Sequence, residues 1–261
     1  MTRQEFGRRA LSVTVFALLT TTASIGGDVL PAWAVTGGST AALGDAPWLV
    51  SIIQTGHTCG GVILDANTVL TAAHCVRGLS AASITVRVNS LRHATGGTTM
   101  KVSKILLHSA YNPAVNESAD LAILKTALPI PIGENSASAI RLPKSYDYVA
   151  GKPARVAGWG ASVPGGNLST ALNRATTNLV KRDVCEASSV NGHAITAEMV
   201  CSTARPASPC KGDDGGPLVG TDSSGDILIG ITISRSCADP AKPSVYLRIV
   251  PYLDWIADAR S

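Results

Sequence analysis

Several signals are scarce in this chain, and each scarcity closes off a class of function. No two cysteines stand at Cys-x-x-Cys spacing, so the tetrahedral thiolate sites of structural zinc find no ligand set. No basic run is longer than two residues and the formal net charge is +4, a mild excess that gives nucleic-acid binding no specific support. The apolar run from Ala10 to Leu19 is too short for a bilayer, which needs ~20 residues, so no membrane span is expected in the mature chain. Helix signals are few, and no low-complexity linker divides the sequence.

What the first residues do contain is an export signal. Arg3, Arg8 and Arg9 precede the apolar run, and Ala32-Trp33-Ala34 is a small-x-small cleavage site. Residues 1–34 are therefore expected to be a signal peptide and residues 35–261 a secreted, extracellular domain. All six cysteines follow the signal, an even number that favours disulfides in an exported chain and leaves their pairing open.

From Val35 onward, short apolar runs alternate with Gly, Asn, Asp and Ser. Strands are expected at Leu49–Gln54, Gly61–Leu64, Thr68–Thr71, Ile84–Val88, Val102–Leu107 and Leu121–Leu124. The second half continues with Ala154–Gly158, Asn178–Val180, Pro217–Val219, Ile227–Ile233 and Ser244–Ile249. Arg182–Ser189 reads as a short helix. Val250–Arg260 is the clearest helix, with Pro251 at its start and Tyr252, Leu253 and Ile256 near one face. The pattern alone says all-β, as a sandwich or a pair of barrels.

Three motifs then stand in a fixed order: Thr71-Ala72-Ala73-His74-Cys75, Asp120-Leu121-Ala122-Ile123-Leu124, and Cys210-Lys211-Gly212-Asp213-Asp214-Gly215-Gly216-Pro217. Alone, the last is an acidic turn. In this order the three resemble the chymotrypsin/trypsin family of serine proteases, whose turn reads Gly-Asp-Ser-Gly-Gly-Pro. The resemblance runs over 35–261. It implies two six-stranded antiparallel barrels with a short C-terminal helix, a monomer, no cofactor or metal, and a peptide or protein as substrate or ligand. It further implies disulfides Cys59–Cys75, Cys185–Cys201 and Cys210–Cys237.

The roles implied by the resemblance are specific. His74 matches the general base and Asp120 its orienting carboxylate, while the N–H groups of Gly212 and Asp214 match the oxyanion hole. Val35, freed by cleavage after Ala34, would pair its amine with Asp213. Ser208 matches the pocket floor, Thr232-Ile233-Ser234 the pocket wall, and Ser244 replaces a common glycine, so a narrow pocket is expected. His57, His93, His108 and His193 lack any such setting and are expected at the surface or in loops. The departure is Asp214, which holds the serine's place. A carboxylate has no proton to give and repels a developing oxyanion. The expectation is a secreted homologue without hydrolytic activity that acts by binding. The alternatives are an active serine endopeptidase of which this chain is an Asp214 variant, or a changed enzyme using Asp214 and His74 as an acid/base pair or weak metal site. Amino-terminal sequencing of exported protein is expected to read Val-Thr-Gly-Gly; a chain starting anywhere else ends the Val35–Asp213 pairing.

Overall fold

Short strands with one apolar face cannot bury that face alone, and here they curl until the face is inside. The computed structural model describes residues 1–2, 35–114, 118–133, 136–145, 150–190, 192–234, 236–237, 239 and 241–261. All of these but the first two belong to one unit, Ala32–Ser261. The expected signal peptide lies outside the described residues.

A two-residue strand, β1 (Ser39–Thr40), comes first. Then β2 (Leu49–Ile53), β3 (His57–Asp65), β4 (Thr68–Thr71), β5 (Thr85–Val88), β6 (Thr98–Leu107) and β7 (Ala122–Thr126) close an antiparallel barrel in the order β2-β3-β4-β7-β6-β5. Its strands bury branched side chains on both faces: Val62, Ile63, Leu70, Ile84, Ile123 and Leu124 are fully buried. Each such side chain contributes ~1.5–3 kcal/mol of burial.

The second half contributes β8 (Pro153–Gly158), β9 (Asn173–Asn178), a small hairpin of β10 (Ser189–Val190) and β11 (His193–Ala194), β12 (Met199–Ser202), β13 (Pro217–Asp222), β14 (Gly225–Ser234) and β15 (Ser244–Arg248). Its sheet has seven strands rather than the expected six, in the order β1-β9-β8-β13-β14-β15-β12. The extra strand is β1, which lies along Asn173 and Arg174. The other six curl round until a bridge between Leu179 and Ser202 joins β9 to β12, with Thr203 N–H on the Asn178 carbonyl at 2.9 Å. Helix α1 (Arg182–Glu186) is shorter than expected, because Ser189 already belongs to β10. The C-terminal helix α2 (Leu253–Arg260) is preceded by a 3₁₀ turn over Val250–Tyr252. No helix among the described residues is long and apolar enough to cross a membrane.

All three disulfides form as the resemblance implied, Cys59–Cys75, Cys185–Cys201 and Cys210–Cys237, and no described cysteine is free. The barrels meet where β3 touches the glycine turn. Gly60 N–H donates to the Asp214 carbonyl at 2.8 Å, and a Cβ on Gly60 would lie 2.9 Å from Gly216 Cα. Backbone cannot retreat as a side-chain tip can, so Gly60→Ala is expected to cost about 1–3 kcal/mol by overpacking. Urea unfolding measures it; an unchanged midpoint would show that the two segments are not in contact.

Candidate functional site

Four segments build the site. His74 sits in a 3₁₀ turn, Ala73–Cys75, that leaves β4, and the Cys59–Cys75 disulfide ties this turn back to β3. Asp120 precedes β7 and is fully buried. It receives two donors from one residue, the His74 backbone N–H on Oδ1 at 2.8 Å and His74 Nδ1 on Oδ2 at 2.6 Å. A carboxylate only accepts, so Nδ1 carries the hydrogen and Nε2 is left as the basic nitrogen of a ring that is one-third exposed. Next to Asp120, Ala119 takes a positive φ of 61°, and its N–H donates to the Tyr252 hydroxyl at 3.0 Å. The C-terminal 3₁₀ turn thus fixes the approach to Asp120.

The acidic turn lies against the His74 segment. Gly212 and Gly215 both have positive φ, 98° and 74°, and they bracket the two aspartates. A Cβ on Gly215 would overlap Thr71 Oγ1 and sit 3.2 Å from Ala72 N, two residues before His74. Asp213 is buried, with Gly160 N–H on Oδ1 at 2.8 Å and Cys210 N–H on Oδ2 at 2.9 Å. A methyl group at Gly158 or Gly160 would overlap this carboxylate. Asp214 is also buried, and its carbonyl holds Gly60. Val35 buries its side chain in the second core beside Val156, Leu218 and Tyr246, and Thr36 just after it bridges to Ser208.

The residues expected in the pocket are closed in. Ser208, Thr232, Ile233 and Ser244 are all nearly inaccessible, and the Ser244 hydroxyl accepts from Ser236 N–H at 3.1 Å and meets the Ser236 hydroxyl at 3.0 Å. Beneath them the Tyr246 hydroxyl meets Ser202 at 3.0 Å, and burial holds its pKa well above the ordinary value. The backbone of Ser234 pairs with Val245 across a bulge. Cys59, His74 and Cys75 bring ligand atoms together, but both sulfurs belong to one disulfide and have no thiolate to offer a metal.

One expectation fails outright. His57 is neither in a loop nor at the surface; it opens β3 and is buried. Its Nε2 lies 2.8 Å from the Gly212 carbonyl and its Nδ1 2.8 Å from Ser51 Oγ. The carbonyl must accept, so Nε2 donates and, in the neutral ring, the Ser51 hydroxyl donates to Nδ1. Trp159 packs edge-on at 5.6 Å. Burial is the main force lowering the pKa of His57 to about 4, with the hydrogen bond to Gly212 opposing and His93 adding to it. The available signal was its place two residues before Cys59, in a strand facing the turn. His93 and His108 are half-buried rather than free at the surface, and desolvation lowers both pKa values. His108 rests edge-on against Tyr252 at 5.2 Å, whereas His193 belongs to the β10–β11 hairpin.

Two barrels, a buried carboxylate that orients a histidine, and a glycine turn between them are the architecture of the trypsin class of proteins: the chain belongs to the trypsin family, whose model, described as "Trypsin", matches residues 35–256. It is 39% identical over 226 residues to "Trypsin Blo t 3" of Blomia tropicalis, covering 84% of this chain and 83% of that one. It is 33% identical over 226 residues to "Trypsin alpha" of Drosophila melanogaster, covering 85% and 86%. It is 35% identical over 244 residues to "Venom peptide isomerase heavy chain" of Agelenopsis aperta, covering 85% and 98%.

His57 gives the fold a pH dependence with a defined sign. Its folded pKa of about 4 lies below the ordinary 6.5, so between these values the unfolded chain holds a proton that the folded chain refuses. Stability is complete above pH ~6.5 and falls by ~3 kcal/mol as the pH drops through this window. Urea unfolding of the protein and of His57→Gln between pH 4 and 7 checks it. The variant is expected to lose about one proton's worth of slope, and equal slopes would place His57 in water.

Proposed function

We propose that this is an exported trypsin-family protein that binds peptide segments without cleaving them, because Asp214 occupies the place of the nucleophilic serine. The observation that carries the reading is the assembled His74–Asp120 pair beside a glycine turn that bears a carboxylate at the one position where the family's chemistry needs a hydroxyl. With a serine at position 214, His74 Nε2 would take the hydroxyl proton as the oxygen attacks a peptide carbonyl, and Asp120 would steady the resulting imidazolium. With aspartate there is no proton to take. Attack by the carboxylate would form a mixed anhydride at high cost, and its charge opposes an oxyanion on the N–H groups of Gly212 and residue 214.

The remaining roles follow the same reading. Removal of residues 1–34 frees the amine of Val35, and a buried Asp213 carboxylate is stabilised by such a cation. The start of the family match at Val35 supports that boundary. A peptide side chain entering the pocket meets Ser208, Ser244 and the strand segment Thr232-Ile233-Ser234, and must be small. The ligand is a peptide or protein bound by a monomer in the extracellular space, with no cofactor or metal.

The intact His74–Asp120 geometry favours a second reading, in which a form carrying serine in place of Asp214 is an active endopeptidase and this chain its silenced variant. One pair of proteins tests both. The present chain is expected to leave a fluorophosphonate probe unreacted and peptide esters intact. Asp214→Ser is expected to take up the probe and hydrolyse esters of small residues at least ~10⁴-fold faster than the parent chain. Labelling of the present chain would end the binding-only reading. A folded, inert Asp214→Ser protein would remove His74 and Asp120 from any triad.

A further inference from the structure

The outer face of β8 and β9 carries a cleft that the catalytic reading does not use. Residues alternate strictly here. Ala154 and Val156 of β8 face the core, while Arg155 faces out; on β9, Arg174 and Thr176 face out. Arg155 stands opposite Thr176, and Arg174 opposite Ala157, so the two guanidinium groups lie on one diagonal of one face. The N-terminal arm forms the opposite wall. Gly37, Gly38 and Ser39 run past Ala175 and Thr176 and form with the two arginines an open groove of about 490 Å³.

The charged side chains that line this cleft are arginines, each ion-paired at its edge. Among the described residues, its lining includes two arginines and no acidic side chain. Both arginines have carboxylate partners that stand outside the lining. Arg174 Nε lies 2.9 Å from Asp45 Oδ2, and Arg155 Nη2 pairs with Asp226. Each contact occupies one nitrogen of a group with five donors. The flanking carboxylates hold the two forks in place, and the remaining donors have no hydrogen bond among the described residues. Two half-exposed forks beside a threonine hydroxyl and the serine and glycine backbone suit the oxygens of a planar or tetrahedral oxyanion.

We propose that this cleft is an oxyanion-binding site that clamps the N-terminal arm onto the second barrel. The ligand contacts Arg155 and Arg174 on the sheet and Ser39 on the arm. The arm carries the consequence to the site: Ser39 pairs with Arg174, Gly38 N–H closes on the Val35 carbonyl, and Thr36 bridges to Ser208, two residues before Cys210. The clamp is independent of the chemistry at residue 214.

Two ligands share this chemistry, an inorganic or ester sulfate and the carboxylates of an acidic peptide. Amide NMR of the purified protein, titrated with sodium sulfate and separately with a blocked Asp-Glu dipeptide at constant ionic strength, distinguishes them. The expected result is a saturable shift of the Gly37, Gly38, Ser39 and Thr176 signals with at least one probe, and the tighter probe names the source. Arg174→Gln and Arg155→Gln should each weaken binding about tenfold. Arg141→Gln, which removes a surface arginine paired with Asp222 elsewhere, should leave binding unchanged. Arg174→Lys, which keeps the charge and loses the fork, should fall between. Shifts that rise linearly with both probes, or equal weakening in Arg141→Gln, would overturn the proposal. Both arginines are partly exposed, and an otherwise unchanged spectrum establishes that the variants fold.

Discussion

The structure turns on a contact between two pieces of backbone. Gly60 of the first barrel lies so close to Gly216 of the second that it tolerates no side chain, and the Gly60 N–H holds the Asp214 carbonyl. Everything that brings the site together passes near this point. Cys59, the preceding residue, ties the His74 turn through its disulfide, and Thr71 donates its hydroxyl to the Gly60 carbonyl at 2.8 Å. Gly215 N–H and Gly216 C=O both bond to Thr232, so the pocket strand is set by the same turn. A histidine from one barrel and a turn from the other are thus brought together largely through main-chain contacts, which have few degrees of freedom to lose.

Buried acidity is the second theme. Asp120 and Asp213 are nearly inaccessible, and each accepts from N–H donors on both oxygens. Such bonds make a carboxylate tolerable in a poor solvent. Asp213 relies on backbone donors from Cys210 and Gly160, so its position depends on the glycines that leave room for it. Asp120 relies on a single partner residue, and the partner's ring is oriented in return. The first arrangement holds a loop in place; the second orients an imidazole ring.

Much of this was legible in the sequence, for physical reasons. Strands such as Thr68–Thr71 and Ala154–Gly158 announce themselves because apolar residues end at turn-forming ones, and the His74, Asp120 and Gly212–Pro217 motifs are local. The apolar pattern points to a strand at Asn178–Val180, whereas β9 spans Asn173–Asn178, which is polar by composition and takes its strand form from its neighbours β8 and β1. β12 was missed because Met199–Ser202 is buried on both faces and shows no alternation. His57 was misjudged because its partners, Ser51 and Gly212, are 6 and 155 residues away, and only the second barrel's arrival buries it. Composition cannot report a contact that depends on where a distant loop comes to rest.

The peptide unit joining Gly212 to Asp213 is pinned at both ends. Its oxygen accepts from His57 of the other barrel, and its N–H donates to the Cys210 carbonyl at 2.9 Å. Rotating this unit would break two bonds at once, one of them in a buried setting. The side chain at position 214 contributes to neither. Shape and reactivity are therefore separable properties here: a mutation that abolishes chemistry at 214 leaves the contour of the loop to be selected on its own account. The loop therefore keeps its contour whichever side chain stands at position 214.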